Sequence, residues 1–258
     1  MTLRKAAVAL TTALLLGAGA LMGPPAHAET LRFATEGAFP PFNAVDDKGK
    51  PHGFDVDIAK ALCAEMKAEC ELVVQDWDGL IPGLLAKKFD AIIASMSITE
   101  ERQKSVLFSD PYYFNQFHFV GPKDRTFTLT KDGLKGLTVG AQRATVSAKW
   151  LEEHLGDAVS VKLYDTAEEA YLDLTSGRLD LMLNDTYPTY DWLKSPAATG
   201  YELKGESVIK DDKVGIALRP GDTALAASLN KALAAIIANG TYAEINARYF
   251  PFSLLARE

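Results

Sequence analysis

The sequence predicts an α/β protein of two similar lobes, and two observations lead to that prediction. Short apolar β-type segments alternate with segments of helical periodicity from 31 to 98, and the same alternation returns from 137 to 185. This alternation is typical of a largely parallel sheet flanked by helices. Ligands of such sheets bind beyond the carboxyl ends of the strands. The loops that follow residues 35, 74 and 93 are therefore expected to face one crevice.

The elements of the first half follow from local patterns. Residues 31–35, 72–74 and 90–94 are short apolar runs that predict strands. Apolar residues at helical spacing between 55 and 66, among them Ile58 and Leu62, predict a helix. A second helix is predicted for 80–86, starting near Pro82. A proline-rich loop at 39–42 follows the first strand.

The second half repeats the pattern and adds a carboxyl-terminal part. The sequence predicts strands at 137–140, 159–163 and 179–183, and helices at 144–155 and 167–174. Beyond them we predict a strand at 214–218, a helix at 223–238 and a last helix at 242–249. Asn239 and Gly240 stop the longer helix, and Pro251 follows the last one.

The first 28 residues have the pattern of a secretory signal peptide. Arg4 and Lys5 precede an apolar stretch at 6–22, and Ala26-His27-Ala28 forms a small-x-small cleavage site. The alternative is a membrane anchor, but a proline pair breaks the stretch, and no later apolar stretch is long enough to span a membrane. We therefore expect an exported mature chain that starts at Glu29.

The charge balance excludes some partners. Without the first 28 residues the chain keeps 25 basic and 34 acidic residues, a net charge of about −9. Such a surface has no basic footprint for nucleic acid and mildly favours a cationic ligand. A mature length of about 230 residues fits one large domain or two lobes.

Cys63 and Cys70 predict a disulfide, because the protein is expected to be exported. A continuous helix across both positions would separate them by about 10 Å, which is too far to bridge. The helix must therefore end near Lys67 and the chain must turn back. Two free thiols are the alternative. No histidine or further cysteine is placed to complete a metal site, so we predict neither a metal nor a cofactor.

The run at 93–102 is a candidate carboxylate site. An apolar strand ends in Ser95 and Ser97, and Thr99 opens a helix with Arg102 just inside it. Hydroxyls, backbone N–H groups and a guanidinium all donate hydrogen bonds, which suits a carboxylate. The alternative is a capped helix on whose face Arg102 pairs with Glu100 or Glu101. These residues alone leave both interpretations open.

Several motifs along the chain together carry a family resemblance. They are Phe39-Pro40-Pro41-Phe42, Gly53-Phe54-Asp55-Val56-Asp57, Trp77-Asp78-Gly79-Leu80-Ile81-Pro82, Lys88-Phe89-Asp90-Ala91-Ile92-Ile93, Ser95-Met96-Ser97-Ile98-Thr99 with Arg102, Phe108-Ser109-Asp110-Pro111-Tyr112, Ser176-Gly177-Arg178-Leu179-Asp180 and Asn239-Gly240-Thr241-Tyr242. On these motifs the chain resembles, from 31 to 250, the periplasmic solute-binding proteins of ABC transporters for polar amino acids. It is most similar to the group that binds lysine, arginine and ornithine, histidine or opines.

The resemblance implies a type II periplasmic binding protein fold. In this fold each lobe is a mixed, mostly parallel sheet flanked by helices, and two strands form a hinge. By resemblance, lobe 1 comprises 29–114 and 213–258, and lobe 2 comprises 115–212. Two short hinge strands are expected near 114–117 and 211–215.

The resemblance also assigns the part of the site that all amino acids share. In such proteins the arginine after the Ser-x-Ser turn holds the ligand α-carboxylate. Here that residue is Arg102, helped by Ser95, Ser97 and backbone N–H groups beside Ala94. The ligand α-ammonium is assigned to Asp185, whose alternative role is a helix N-cap.

Three further residues are assigned to the ligand side chain. Phe39 and Trp77 occupy the positions of two aromatic rings that sandwich it, and Glu36 that of the acid that meets a distal cation. A flat pair of rings can grip a methylene stem and contact a guanidinium by cation–π interaction. The alternatives are core packing for both rings and a surface loop for Glu36.

The second half departs from the family pattern after its first strand. Relatives often have glycine, serine or threonine, threonine and glutamine there, whereas Ala144 replaces the glycine and Val146 a polar residue. Gln142, Thr145, Val146 and Ser147 are still assigned to the ligand. The departure leaves the ligand open between a basic amino acid and a larger guanidino compound such as an opine.

The function implied is that of the periplasmic binding component of an ABC importer. It would capture a cationic amino acid between its lobes, act as a monomer, and dock on permease subunits without binding nucleic acid. The alternative from another class is an enzyme on the same scaffold, similar to exported cyclohexadienyl or arogenate dehydratases, in which a pocket acid near Arg102 is a general acid.

Overall fold

Strands and helices alternate along the part of the chain that the structure, a computed structural model, describes, which is residues 30–255. The strands are β1 (Thr30–Thr35), β2 (Ala38–Phe39), β3 (Asn43–Val45), β4 (Pro51–His52), β5 (Glu69–Val74), β6 (Ala91–Ile92), β7 (Leu107–Phe108), β8 (Tyr113–Pro122), β9 (Thr138–Gln142), β10 (Ser160–Tyr164), β11 (Leu181–Asp185), β12 (Tyr201–Val214) and β13 (Ala217–Leu218). The helices are α1 (Phe54–Met66), α2 (Leu80–Leu85), α3 (Glu100–Gln103), α4 (Val146–His154), α5 (Ala167–Thr175), α6 (Thr186–Trp192), α7 (Thr223–Ala238) and α8 (Thr241–Tyr249). The signal peptide predicted for 1–28 lies outside the described residues, and none of the helices within them is long and apolar enough to cross a membrane.

The first sheet, with the order β5-β1-β6-β13-β7, forms the centre of lobe 1. β1 runs parallel to β5 and β6, whereas β13 is antiparallel to β6 and β7. Since β13 comes from the last part of the chain, this lobe is built from two separate segments. The small antiparallel sheet β2-β3-β4 follows β1, and α1 packs against α7 and α8.

The second sheet, with the order β10-β9-β11-β8-β12, forms the centre of lobe 2. β9 runs parallel to β10 and β11, and β8 is antiparallel to β11 and β12. The predicted two-lobed α/β fold is therefore confirmed, with mixed sheets in which parallel and antiparallel pairings are equally common. In both sheets the parallel strands are the ones that end at the cleft between the lobes.

Two long strands connect the lobes. β8 and β12 pair antiparallel from Tyr113 opposite Val214, through Asn115 opposite Asp212, as far as Pro122 opposite Tyr201. The predicted hinge strands lie at this place, but the prediction that they are short is wrong. Both strands continue into lobe 2, where they belong to the second sheet. Residues of β8 alternate there between buried and half-buried positions, so that one face of the strand packs on the core of lobe 2. The exact lobe bounds, 29–114 with 213–258 and 115–212, stay a prediction.

Other boundaries differ from the predictions for local reasons. α4 begins at Val146 rather than at 144, because Ala144 has φ of 55° and cannot belong to a right-handed helix. The predicted strand at 214–218 is interrupted, since β12 ends at Val214 and β13 begins at Ala217. α7 has the predicted bounds.

The disulfide between Cys63 and Cys70 is confirmed. α1 ends at Met66, and Lys67 adopts the left-handed conformation with φ of 55°, which stops the helix. The chain then turns back into β5 and brings the two Cα atoms to 6.2 Å, within the range of a disulfide.

An aromatic cluster underlies the loop that follows β1. The ring of Phe42 stacks on Tyr113 at 4.9 Å and meets Phe54 edge-on at 5.7 Å. Tyr112 and Phe250 extend the cluster, and all of these residues are buried. Burying each aromatic side chain contributes about 1.5–3 kcal/mol. The cluster thus gives the loop at 39–42 a fixed base.

Candidate ligand-binding site

A small cavity lies between the two lobes, where the parallel strands of both sheets end. Eleven of the twelve residues that the sequence assigns to the ligand line it, and Phe117 lines it as well. The lining residues are Glu36, Phe39, Trp77, Ala94, Ser95, Ser97, Arg102, Phe117, Gln142, Thr145, Val146 and Asp185. Ser147 is the predicted residue that does not line the cavity, because the first turn of α4 buries its side chain.

Arg102 faces the cavity from the short helix α3. Thr99 caps this helix by accepting a hydrogen bond from the Arg102 backbone N–H at 3.2 Å. The guanidinium donates to the carbonyls of Ser97 at 2.9 Å and Ala144 at 3.1 Å, and its Cζ atom lies 5.3 Å from the centre of the Trp77 ring. These contacts turn the guanidinium toward the cleft rather than along the helix face.

Ser95 is held in place by a buried carboxylate. Its hydroxyl donates to Asp55 Oδ2 at 3.0 Å, and its backbone N–H donates to the Tyr112 hydroxyl at 3.2 Å. Asp55 also accepts from Tyr112 at 2.7 Å and from Asn43 at 2.8 Å. Burial raises the pKa of Asp55 to about 6, although these hydrogen bonds oppose that rise. The network fixes the left-handed conformation of Ser95, whose φ is 52°.

Ser97 is fixed in a similar way by a different acid. Its hydroxyl donates to Asp212 Oδ2 at 2.9 Å. Burial raises the pKa of Asp212 to about 6, and hydrogen bonds from Ser97 and Asn115 oppose the rise together with the charge of Arg102. The hydroxyl hydrogens of both serines are therefore already bound within the protein.

Asp185 ends β11 on the lobe 2 side of the cavity. It is the N-cap residue of α6, as the alternative interpretation proposed, but its side chain makes no capping hydrogen bond. Instead it accepts from Asn115 Nδ2 at 2.5 Å. Burial first, and then the neighbouring charge of Asp212, raise the pKa of Asp185 to about 8.

Glu36 directly follows β1 and is buried, so it is not a surface residue. Gln142 of lobe 2 donates to its Oε1 at 2.6 Å and to the carbonyl of Asp165 at 2.9 Å. Burial raises the pKa of Glu36 to about 7, with smaller contributions from Asp76 and Asp78, while the hydrogen bond from Gln142 opposes it. Within residues 30–255, Glu36 forms no ion pair with a basic side chain.

Phe39 and Trp77 combine the two roles that the sequence left open. Phe39 lies in β2 and packs into the hydrophobic core, while part of it lines the cavity. Trp77 is half-buried against the core and donates from Nε1 to the Ala144 carbonyl at 3.2 Å. Both rings therefore pack against the core on one side and present an apolar surface to the cavity, beside Glu36.

The lobe 2 loop between β9 and α4 contributes mainly backbone. The Thr145 hydroxyl donates to the Gln142 carbonyl at 2.7 Å and caps α4 by accepting from the backbone N–H of Ala148. The carbonyl of Ala144 points toward lobe 1, where Trp77 and Arg102 donate to it. The left-handed conformation of Ala144 sets this direction.

The lobes contact each other around the cavity. In addition to the bonds to Ala144 and Glu36, Lys149 pairs with Glu101 at 2.5 Å and Arg143 lies 3.6 Å from Asp78. These are surface ion pairs and contribute little each. Their positions nevertheless show that the two lobes are in contact with each other in this structure.

Four residues beside or behind the cavity lie outside the sequence-based site. They are Asp55, Asn115, Phe117 and Asp212. Asp55 belongs to a quoted motif, but only its contacts give it a role. The sequence could have indicated that Asp212 faces inward, because it lies two residues before the apolar Val214 and a strand places alternate residues on one face. Nothing local in the sequence distinguishes Phe117 or Asn115.

A cavity enclosed by two α/β lobes, with charged groups and aromatic rings on its walls, is the site of a protein that encloses a small polar solute. The chain belongs to the bacterial extracellular solute-binding proteins of family 3, whose family model matches residues 31–252.

Two curated relatives are similar over most of their length. The chain is 40% identical over 250 residues to an L-arginine-binding protein of Pseudomonas aeruginosa, which covers 93% of this chain and 96% of the relative. It is 39% identical over 233 residues to the lysine/arginine/ornithine-binding periplasmic protein of Escherichia coli, covering 88% and 89%.

Two solved structures are also similar. An ancestral arginine-binding protein bound to arginine has a TM-score of 0.81 and 38% identity, covering 86% of this chain and 98% of that one. An ancestral amino acid-binding protein described as a precursor of cyclohexadienyl dehydratase has a TM-score of 0.78 and 31% identity, covering 86% and 95%.

Proposed function

We propose that this chain is the periplasmic substrate-binding component of an ABC importer and that its ligand is a basic amino acid, with arginine favoured. The observation that carries the proposal is Glu36, a buried acid in the cavity wall that no basic side chain of residues 30–255 neutralises. A buried carboxylate is unfavourable unless a cation pairs with it. A ligand whose side chain ends in a cation supplies that partner.

Two further charged residues of the cavity suit the α-carboxylate and the α-ammonium that every amino acid has. Arg102 offers a guanidinium that can bind an α-carboxylate, and Asp185 offers an acceptor for an α-ammonium. Phe39 and Trp77 lie between as apolar walls for a methylene stem. Arginine, lysine and ornithine combine all three features, and an opine combines them with a larger substituent.

The relatives support arginine within this class. A similar protein is named for binding L-arginine, and a similar structure holds arginine. By analogy, the lobes 29–114 with 213–258 and 115–212 open and close about β8 and β12 as ligand enters and leaves. The contacts between the lobes around the cavity fit the closed state of such a cycle.

A panel of ligands tests the proposal by isothermal titration calorimetry on the mature chain. L-arginine, ornithine, lysine, histidine and octopine are compared with citrulline, a matched control that has the length of arginine without its positive charge. We expect arginine to bind at least about 30-fold more tightly than citrulline, since only arginine pairs with Glu36. Equal affinities would refute the basic ligand, and octopine as the tightest ligand would replace arginine by an opine.

The enzyme alternative is tested with the same protein. Its support is the similarity to a dehydratase precursor, while the other relatives are named as binding proteins. We expect no turnover of prephenate or arogenate. Dehydration of either compound, together with failure of every basic amino acid to bind, would favour the enzyme. Gel filtration with light scattering tests the monomer, and export to the periplasm is tested by cell fractionation of the full-length chain.

A further inference from the structure

Asp212 is a buried carboxylate beside the cavity with no direct place in its wall. It lies in β12 opposite Asn115 of β8, where the two strands pass between the lobes. Its side chain faces inward and only 8% of the residue is exposed, whereas the adjacent Asp211 is exposed. The strand geometry thus fixes Asp212 at the back of the site.

The bond between Asp212 and Ser97 determines what Ser97 can offer a ligand. The Ser97 hydroxyl donates its hydrogen to Asp212 Oδ2 at 2.9 Å. A serine hydroxyl has one hydrogen and two acceptor lone pairs. With its hydrogen directed to Asp212, Ser97 presents only lone pairs to the cavity. The group of an amino acid that donates to such an acceptor is the α-ammonium.

The charge of Asp212 acts in the same direction. Asp212 and Asp185 are two acids near the single guanidinium of Arg102, and Asn115 donates to Asp185 at 2.5 Å from the strand position opposite Asp212. Asp212 is the charge that most affects the pKa of both Asp185 and Arg102. It adds to burial in raising the pKa of Asp185, and it opposes the lowering of the Arg102 pKa by burial. A ligand ammonium supplies the positive charge that this group of three lacks.

We propose that Asp212 is a positioning residue for the ligand α-ammonium, which it serves by directing the Ser97 lone pairs into the cavity. This inference rests on the proposed amino-acid ligand. Because Asp212 does not line the cavity, it acts through Ser97 rather than by contact with the ligand.

The test compares Asp212→Leu, which removes the acceptor of the Ser97 hydrogen, with Asp211→Leu, the same change on the exposed side of the same strand. Affinities at pH 8 are measured by calorimetry for L-arginine and for deamino-arginine, the analogue without the α-ammonium. We expect Asp212→Leu to weaken arginine at least about tenfold and deamino-arginine less than about twofold, because only arginine has the group that Ser97 accepts. Asp211→Leu should change neither affinity.

A double-variant cycle separates this role from a merely structural one. In a Ser97→Ala background, Asp212→Leu should change arginine affinity by less than about threefold, since only the charge of Asp212 then acts on the ligand. An equal loss for both ligands, or a full effect without Ser97, would overturn the inference. If circular dichroism shows that Asp212→Leu is unfolded, Ser97→Ala alone decides, by an arginine-selective or a non-selective loss. If the unaltered protein binds no basic amino acid, the proposed function fails first and this inference with it.

Discussion

The two lobes contribute to the cavity in different ways. Lobe 1 supplies side chains that hydrogen bonds to buried acids hold, Ser95 on Asp55 of the same lobe and Ser97 on Asp212 of the connecting strand β12. Lobe 2 supplies a loop whose most connected atom is a backbone carbonyl, that of Ala144. On the proposed function, we expect lobe 1 to be organised before ligand arrives and lobe 2 to complete the site when the lobes meet.

The energetic character of the two sides differs as well. Asp55 is a fully buried carboxylate that three side chains satisfy, an arrangement that is favourable only when complete. In lobe 2, Thr145 donates to the carbonyl of Gln142, and Gln142 donates to Glu36 of the opposite lobe and to the carbonyl of Asp165. The buried side-chain network of lobe 2, which joins Asn184, Tyr171 and Thr189, includes no residue of the cavity wall. The two lobes therefore differ in what holds the cavity wall, which is a buried carboxylate at Ser95 and mainly backbone in the loop of lobe 2.

The largest effect on affinity should come from Arg102→Ala. This substitution removes the guanidinium that is proposed to bind the ligand carboxylate and that also contacts lobe 2. We expect at least about a 100-fold loss of affinity for every amino acid tested, because a buried charge partner is removed. Calorimetry with arginine and citrulline measures it. Arg125→Ala is the matched control, since Arg125 pairs with Asp180 away from the cavity. A loss of less than tenfold would mean that lobe 1 does not dominate recognition.

Glu36→Gln should have the next largest effect, and a selective one. The substitution keeps the shape and removes the charge, so arginine should bind about 10- to 30-fold more weakly and citrulline within about threefold of the original affinity. Competition calorimetry gives both values. Parallel losses for the two ligands would show that Glu36 has a structural role only.

The pH should change arginine affinity to a smaller extent. Burial raises the pKa of Glu36 to about 7 and of Asp185 to about 8, so both are partly protonated in the free protein at neutral pH. Ligand cations need the ionised forms, and affinity should therefore fall as pH decreases from 8 to 6, by about tenfold at most for each group per pH unit. Glu36→Gln should flatten this dependence.

The stability of the ligand-free protein should depend on pH in the opposite direction to arginine affinity, and this dependence provides the control. A carboxyl group whose pKa is higher in the folded than in the unfolded protein binds more protons when folded. Its contribution to the free energy of unfolding is thus present below pH 4 and is lost as pH rises to the folded pKa, about 7 for Glu36. Thermal unfolding without ligand should show Glu36→Gln gaining stability over the original protein as pH rises. A pH-independent difference would contradict the raised pKa.

The smallest effect is expected on the lobe 2 side, from Ala144→Gly. Ala144 has φ of 55°, a conformation that glycine adopts without strain. Relief of strain should stabilise the protein by no more than about 1 kcal/mol, and arginine affinity should stay within about twofold because the carbonyl remains. Ala141→Gly, in the buried middle of β9, should instead destabilise it. A large affinity change at Ala144 would show that the lobe 2 loop is also preorganised.

The sequence was sufficient for those parts of the molecule that local pattern determines. Periodicity predicted the bounds of α7, and topology predicted that the loops after the parallel strands face one crevice. The choice of Glu36 and Asp185 within those loops came from the family resemblance. Asp212 could not be given a role, because its partner Ser97 is 115 residues away and meets it only where Ser97 forms a bridge to Val214 of β12. Ser147, which the resemblance assigned to the ligand, does not line the cavity because the first turn of α4 buries its side chain.

The hydrogen bond from Arg102 to the Ala144 carbonyl has a consequence for the rate at which ligand leaves. The same guanidinium is available to the ligand carboxylate and to the opposite lobe. On the proposed function, opening the cleft has to break this bond together with the other contacts between the lobes, such as that of Gln142 with Glu36. Residence time, rather than the association rate, should therefore respond most to changes at the Ala144 contact.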